Sequence, residues 1–183
     1  MIQTTQTTDQ LPRTMAEFAD WEPNDGYKYE WNDGELIKFV GMNKKQVYIY
    51  SLLQDLFFEK GYNKKGTLVA EYDVELTGIQ TRRPDVAYLT KEQVKQTKAG
   101  VDEIPEFVIE IISGNDNINK VEAKIGEYFK AGVRVIWLIL PDSQSVHVYT
   151  SRRTVKICLE NDICSASPVL PDFEISVADI FVA

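Results

Sequence analysis

The chain has 183 residues, 44% hydrophobic and 26% charged, a composition that suits one globular domain with a substantial core rather than two. Its net charge of −8 sets a repulsive field against polyanions, so a nucleic-acid partner would need a local basic groove or a cation held among carboxylates. Two cysteines argue against a disulfide scaffold. A single histidine, His147, rules out a zinc site built on several imidazoles and leaves a Ser–His or Cys–His nucleophile only that one residue.

Residues 1–13 open with the polar, aperiodic MIQTTQTTDQ and are expected to form a disordered tail before one domain spanning 14–183. They show neither the basic n-region nor the apolar h-region of a signal peptide. The longest apolar run, VRVIWLIL, is too short to span a bilayer, so a cytoplasmic protein without membrane association is expected.

Thr14 followed by Glu17 has the order of a capping box and starts a short helix. GYKYEWNDGELIKFV reads as a hairpin around Asn32-Asp33-Gly34. From Lys44 to Glu59 the apolar residues mostly follow a helical stripe that Gly61 ends. GTLVAEYDVEL is expected to be one strand and RRPDVAYLT another. KEQVKQTKAGVDEI is a polar connection, helical in part. PEFVIEIIS reads as a buried strand, VEAKIGEYFKAG as an amphipathic helix closed by Gly132. VRVIWLILP and SVHVYTS are strands, the latter carrying His147 toward solvent between Val146 and Val148. TVKICLE and the segment around PDFEISVADIF complete the domain. The fold expected is α/β, with a mixed central β-sheet flanked by helices and an N-terminal β-hairpin.

Glu110 lies inside the apolar run FVIEII, where a charge is costly unless paired. Strand alternation puts Val108, Glu110 and Ile112 on one face, and Asp85 on a face with Ala87 and Leu89. If the two strands are neighbours, Asp85 and Glu110 converge. Two facing carboxylates raise each other's pKa unless a cation sits between them, and a hard divalent ion such as Mg²⁺ needs only one or two. On a wheel of about 100° per residue, Val121, Ile125, Tyr128 and Phe129 face inward, and Lys124 lies roughly 80° from the centre of that face, nearer than Lys120 or Lys130. It is the lysine best placed to approach the pair. The competing reading pairs Glu110 with Arg82 or Arg83, starts a strand at Asp85, and leaves Lys124 at the helix edge with its stem on apolar surface.

Pro84-Asp85, the strand ending in Glu110 before Ser113, the lysine of AKIGEY, the phrase KAGVRVIWLI and the hairpin YEWNDGELI together resemble the Uma2 family (DUF820). These are endonuclease-like proteins abundant in cyanobacteria, within the PD-(D/E)XK superfamily of restriction-endonuclease-like folds. The likeness runs from about Thr14 to Phe181. In the plain motif the lysine stands two residues after the glutamate, where this chain has Ile112; the resemblance implies that Lys124 has taken that role from the following helix. It further implies Mg²⁺ or Mn²⁺ on Asp85, Glu110 and the Ile111 carbonyl, and an additional acid at Glu35, with Glu71 in reserve. The chain departs from the family at Lys45-Gln46, where a histidine is common, and at Ser113-Gly114-Asn115 with Ile118, Asn119 and Lys120, where the family often carries serine-proline-serine, arginines and an aspartate.

The function implied is metal-dependent endonucleolytic hydrolysis of DNA, with Lys124 positioning the attacking water. The alternative is a nuclease-like fold that no longer cuts and binds nucleic acid or protein. Domains of this type pair so that two sites address two strands, which points to a homodimer. Trp21, Tyr27, Tyr29 and Trp31 could line such an interface or be buried within one chain.

Overall fold

The computed structural model describes residues 11–114 and 116–182. Most of the expected tail, Asn115 of the 113–115 turn and the last residue lie outside them. Helix α1 spans Met15–Ala19, and its cap, the Thr14 hydroxyl, accepts the Glu17 N–H at 3.1 Å. The Glu17 carboxylate takes the Arg13 N–H rather than that of Thr14, so half of the capping box forms.

Strands β1 (Lys28–Asn32) and β2 (Glu35–Phe39) form the hairpin. Its two-residue turn puts Asp33 at φ 46° and Gly34 at φ 88°, the double positive φ that Asp-Gly tolerates in a type I′ turn. Helix α2 is Lys44–Glu59, opened by a capping box between Asn43 and Gln46.

GTLVAEYDVEL is not one strand. It divides into β3 (Gly66–Ala70) and β4 (Val74–Thr77), which belong to different sheets. The break falls at Glu71, whose φ of 49° cannot continue an extended chain. RRPDVAYLT divides likewise, between β5 (Gln80–Arg82) and β6 (Val86–Thr90). Pro84 has no N–H to offer a ladder, and Asp85 sits just before β6 rather than within it.

Helix α3 (Lys91–Lys98) occupies the polar connection and is capped by Thr90 and Gln93. The unit β7 (Phe107–Ile111), α4 (Ile118–Ala131) and β8 (Val135–Leu140) follows, its two strands parallel, as a helical crossover allows. Strands β9 (Ser145–Ser151), β10 (Thr154–Leu159), β11 (Ile163–Ala166) and β12 (Leu170–Ser176) and helix α5 (Val177–Phe181) finish the chain.

The main sheet has the order β10-β9-β8-β7-β6-β3, mixed because only β7 and β8 run parallel. One face packs Ile49, Leu53 and Phe57 of α2 against Val86, Tyr88, Phe107 and Ile109. The other packs Ile125 and Tyr128 of α4 against Ala87, Val108, Ile136 and Leu138. A smaller sheet, β2-β1-β5-β4, stands beside it. The chain crosses between the sheets three times, first through α2 and then directly at residues 71–73 and 83–85, and the two direct crossings touch where the Glu71 N–H donates to the Asp85 carbonyl at 3.0 Å. His147 is half-buried on β9. Trp31 and Tyr29 are buried within the chain. Among the described residues no helix is long and apolar enough to cross a membrane.

Candidate active site

The junction between the two sheets gathers most of the charged residues that are buried. Strands β6 and β7 pair antiparallel with Val86 opposite Ile109, and continuing that register by one residue sets Asp85 opposite Glu110. Alternation gives both carboxylates the face that carries Ala87 and Val108, the face α4 covers. The convergence expected from the sequence is therefore what the geometry shows, and the two groups share one side of the sheet.

Lys124 comes down from α4 onto this pair. Its Nζ lies 2.9 Å from Glu110 Oε1 and 2.8 Å from Glu30 Oε1, and donates to the Arg83 carbonyl at 3.4 Å. The ammonium is thus surrounded by three oxygen acceptors, as many as it has N–H donors. Glu110 Oε1 also accepts the Tyr128 hydroxyl at 2.6 Å. Glu110 thus pairs with a lysine and a tyrosine, not with Arg82 or Arg83.

Arg82 instead ties the small sheet to α4, reaching Glu30 Oε2 at 3.1 Å and clasping Glu127 with two N–H groups at 2.7 and 3.0 Å. Arg83 clasps Asp73 and donates its backbone N–H to Glu30 Oε1 at 2.8 Å. Glu30 was read from the sequence only as part of a hairpin, yet it is the third buried carboxylate of this cluster. The signal available was a glutamate between Tyr29 and Trp31, both of which are buried.

The electrostatics separate the three acids. Burial alone would push the Glu30 carboxyl up, but Lys124, the Arg83 N–H and Arg82 outweigh it and hold Glu30 below the ordinary glutamate value. Glu110 is raised, because burial and the Glu30 charge exceed what Lys124 and Tyr128 return. Asp85 is pushed up to about 8, first by burial and then by Glu110, against the opposing Ile111 N–H and Lys124. Lys124 is raised despite its burial, since Glu110 and Glu30 flank it; it stays an ammonium.

Ile111 completes the floor. Its N–H donates to Asp85 Oδ2 at 2.6 Å, and its carbonyl accepts Gln46 Nε2 of α2, also at 2.6 Å. Gln46, which departs from the family pattern, therefore touches the carbonyl expected to be a ligand.

Two sequence expectations fall outside the cluster. Glu35 is exposed and pairs with Lys120 at 3.3 Å. It is on the correct face, since it pairs with Asn32, two residues from Glu30. That displacement of one pleat repeat, about 6.8 Å, matches the single helical turn of about 6 Å that separates Lys120 from Lys124. The acid at the cluster is the one a row nearer, Glu30. Glu71 accepts the Met42 N–H at 2.7 Å and fixes that loop.

Among the described residues no group of three or more His, Cys, Asp and Glu side chains is arranged to hold a metal ion. The donors that do fit one are Asp85 and Glu110. Asp85 Oδ2 and Glu110 Oε1 carry the contacts above, while among the described residues Asp85 Oδ1 and Glu110 Oε2 have no hydrogen-bond partner. With the Ile111 carbonyl this is an all-oxygen set, suited to a hard divalent cation that keeps part of its water shell.

A family model, Uma2, described as "Putative restriction endonuclease", matches residues 15–178. A crystallised protein from Anabaena variabilis, described as "a putative nuclease belonging to DUF820", is similar at a TM-score of 0.76. The match covers 93% of this chain and 98% of that one, at 23% sequence identity; at that identity the likeness shows the fold, which is the restriction-endonuclease-like α/β fold. Comparison with curated proteins gave no match. With a family match that takes in nearly the whole length, the chain belongs to the Uma2 family.

Proposed function

We propose that this protein is an endonuclease that hydrolyses DNA phosphodiester bonds with Mg²⁺ or Mn²⁺ held by Asp85, Glu110 and the Ile111 carbonyl. The observation that carries the reading is the facing Asp85–Glu110 pair, each with one carboxylate oxygen free and a lysine against the second acid. When bound, the ion would polarise the phosphoryl oxygen and lower the pKa of its water.

The chain's own groups divide the remaining work. Lys124, kept charged by Glu110 and Glu30, acts as a donor and not as a base. To hold the attacking water it must release one partner, and the Arg83 carbonyl at 3.4 Å is the longest of the three contacts. Glu30 keeps the ammonium in place during that exchange, taking the part that the resemblance implied for Glu35. Tyr128 fixes Glu110 through Oε1, which would leave Oε2 to hold the ion. A cation between the acids also offsets the acidic field that otherwise repels a polyanion.

Supercoiled plasmid incubated with Mg²⁺ or Mn²⁺ tests this: the wild type nicks, and Asp85→Asn and Glu110→Gln do not. Equal nicking by wild type and Asp85→Asn refutes it. A second reading rests on the three oxygen acceptors that already surround the Lys124 ammonium. In it the fold binds nucleic acid or protein without cutting, and the wild type retards DNA in a gel but leaves the plasmid intact. A homodimer would let two such sites address two strands; light scattering that finds a monomer at high concentration overturns that part.

A further inference from the structure

We infer that Gln46 is a positioning residue for the divalent cation, acting through the Ile111 carbonyl; the inference rests on the metal reading above. The argument begins with where β7 loses its neighbour. The last pair between β6 and β7 is Val86 with Ile109, so the edge of β7 beyond that pair has no ladder partner on the β6 side. The Ile112 N–H goes the other way, to the Ile139 carbonyl of β8 at 2.9 Å. Alternation then turns the N–H and C=O of Ile111 together to the unpaired edge. A buried backbone group needs a partner, and two side chains supply them: Asp85 takes the N–H and Gln46 the carbonyl.

Gln46 is held so that it can do nothing else. At the third position of α2 its Oε1 accepts the Asn43 N–H at 2.9 Å, which fixes the amide's orientation and leaves the NH₂ end directed at Ile111. A carbonyl oxygen has two lone pairs, so one can stay with Gln46 while the other meets the ion. The hydrogen bond fixes the direction of the carbonyl before the ion arrives. Partners of this kind commonly change metal affinity by about 10- to 100-fold. The contact is also within reach of solvent, because Gln46 and Ile112 line a cavity of about 370 Å³ together with Lys44, Lys45 and Ser113.

The test is calorimetric titration of the metal-free chain with Mn²⁺, alone and without nucleic acid. Four proteins are compared: wild type, Asp85→Asn, Gln46→Leu and Asn43→Ala. Leucine is one atom shorter than glutamine and has no donor for Ile111. Alanine at 43 removes the side-chain cap of α2 and leaves the Gln46–Ile111 bond. Expected are measurable binding by wild type, none by Asp85→Asn, roughly tenfold weaker binding by Gln46→Leu, and wild-type affinity in Asn43→Ala despite a lower melting temperature. Wild-type affinity in Gln46→Leu overturns the inference and leaves the metal reading standing. Equal weakening in Gln46→Leu and Asn43→Ala also overturns it, since the effect would then come from the helix start. No binding by the wild type overturns both.

Discussion

Asp85→Asn should make the metal-free protein more stable while removing the proposed metal site. Asp85 is held at about 8 against an ordinary 3.8, by burial and by Glu110. Between those values the folded chain carries a proton on Asp85 that the unfolded chain has lost, so stability falls as pH rises through the interval. The interval spans about four tenfold steps at about 1.4 kcal/mol each, which sets a ceiling near 6 kcal/mol. Asp85 is partly exposed, and screening and relaxation reduce the effect to roughly 1–3 kcal/mol. Asparagine removes the cost: its oxygen can take the Ile111 N–H and its NH₂ can face Glu110. For a chain of this size that is about 3–10 °C in melting temperature. Thermal denaturation in EDTA from pH 5 to 9 should show the variant close to wild type at pH 5 and increasingly above it toward pH 9. With Mn²⁺ in excess the order reverses, because only the wild type gains binding free energy. A variant less stable than wild type at pH 9 in EDTA, or a gap that does not change with pH, would refute the reasoning.

Glu30→Gln should cost about 3 kcal/mol, because it weakens the contacts that one buried carboxylate makes with Lys124, Arg82 and the Arg83 N–H, whereas Glu35→Gln at its exposed pair should cost less than about 1 kcal/mol; urea titration of the two variants compares them directly. Lys124→Met should be more severe than Glu35→Gln, by about 3–5 kcal/mol in the same assay, since Glu30 and Glu110 would be buried without their cation. Tyr128→Phe should lose about 1.5–3 kcal/mol for a hydrogen bond to a charged acceptor, and equal stability of the two proteins at pH 8 would contradict the assigned contact. Mn²⁺ affinity should rise with pH up to about 8, where Asp85 loses its proton, and binding at pH 7 should release protons; titrations in buffers of different ionisation enthalpy count them.

Much of this arrangement was legible in the residues. Asp-Gly between alternating strands fixed the hairpin turn, strand alternation paired Asp85 with Glu110, and a helical wheel selected Lys124 over Lys120 and Lys130. What escaped depended on contacts between elements. Glu71 breaks a strand without glycine or proline, because its side chain takes the Met42 N–H while its backbone turns, and nothing local announces that. Glu30 and Glu35 lie on one face of the same hairpin, and only the seating of that hairpin against α4 decides which acid meets Lys124. Tyr128 was placed on the inward face, but the partner of its hydroxyl belongs to β7. The Thr90–Gln93 box that starts α3 was not read from the residues, which gave only a polar connection helical in part.

The charges at the junction give the strongest reason to expect a cation there. Glu30, Asp85, Glu110 and Glu127 are four carboxylates held together against two cations, Arg82 and Lys124. Fully ionised, the group is two charges short of neutral, in surroundings where an uncompensated charge is expensive. The metal-free chain meets half of that deficit by keeping a proton on Asp85. One divalent ion would meet all of it, and would do so at the two oxygens that neither Lys124 nor the backbone occupies. A purely structural cluster would gain more from a third basic residue, or from an apolar replacement for Asp85. The retained deficit, open at the side of Asp85 and Glu110, is what a binding site for a doubly charged ion requires.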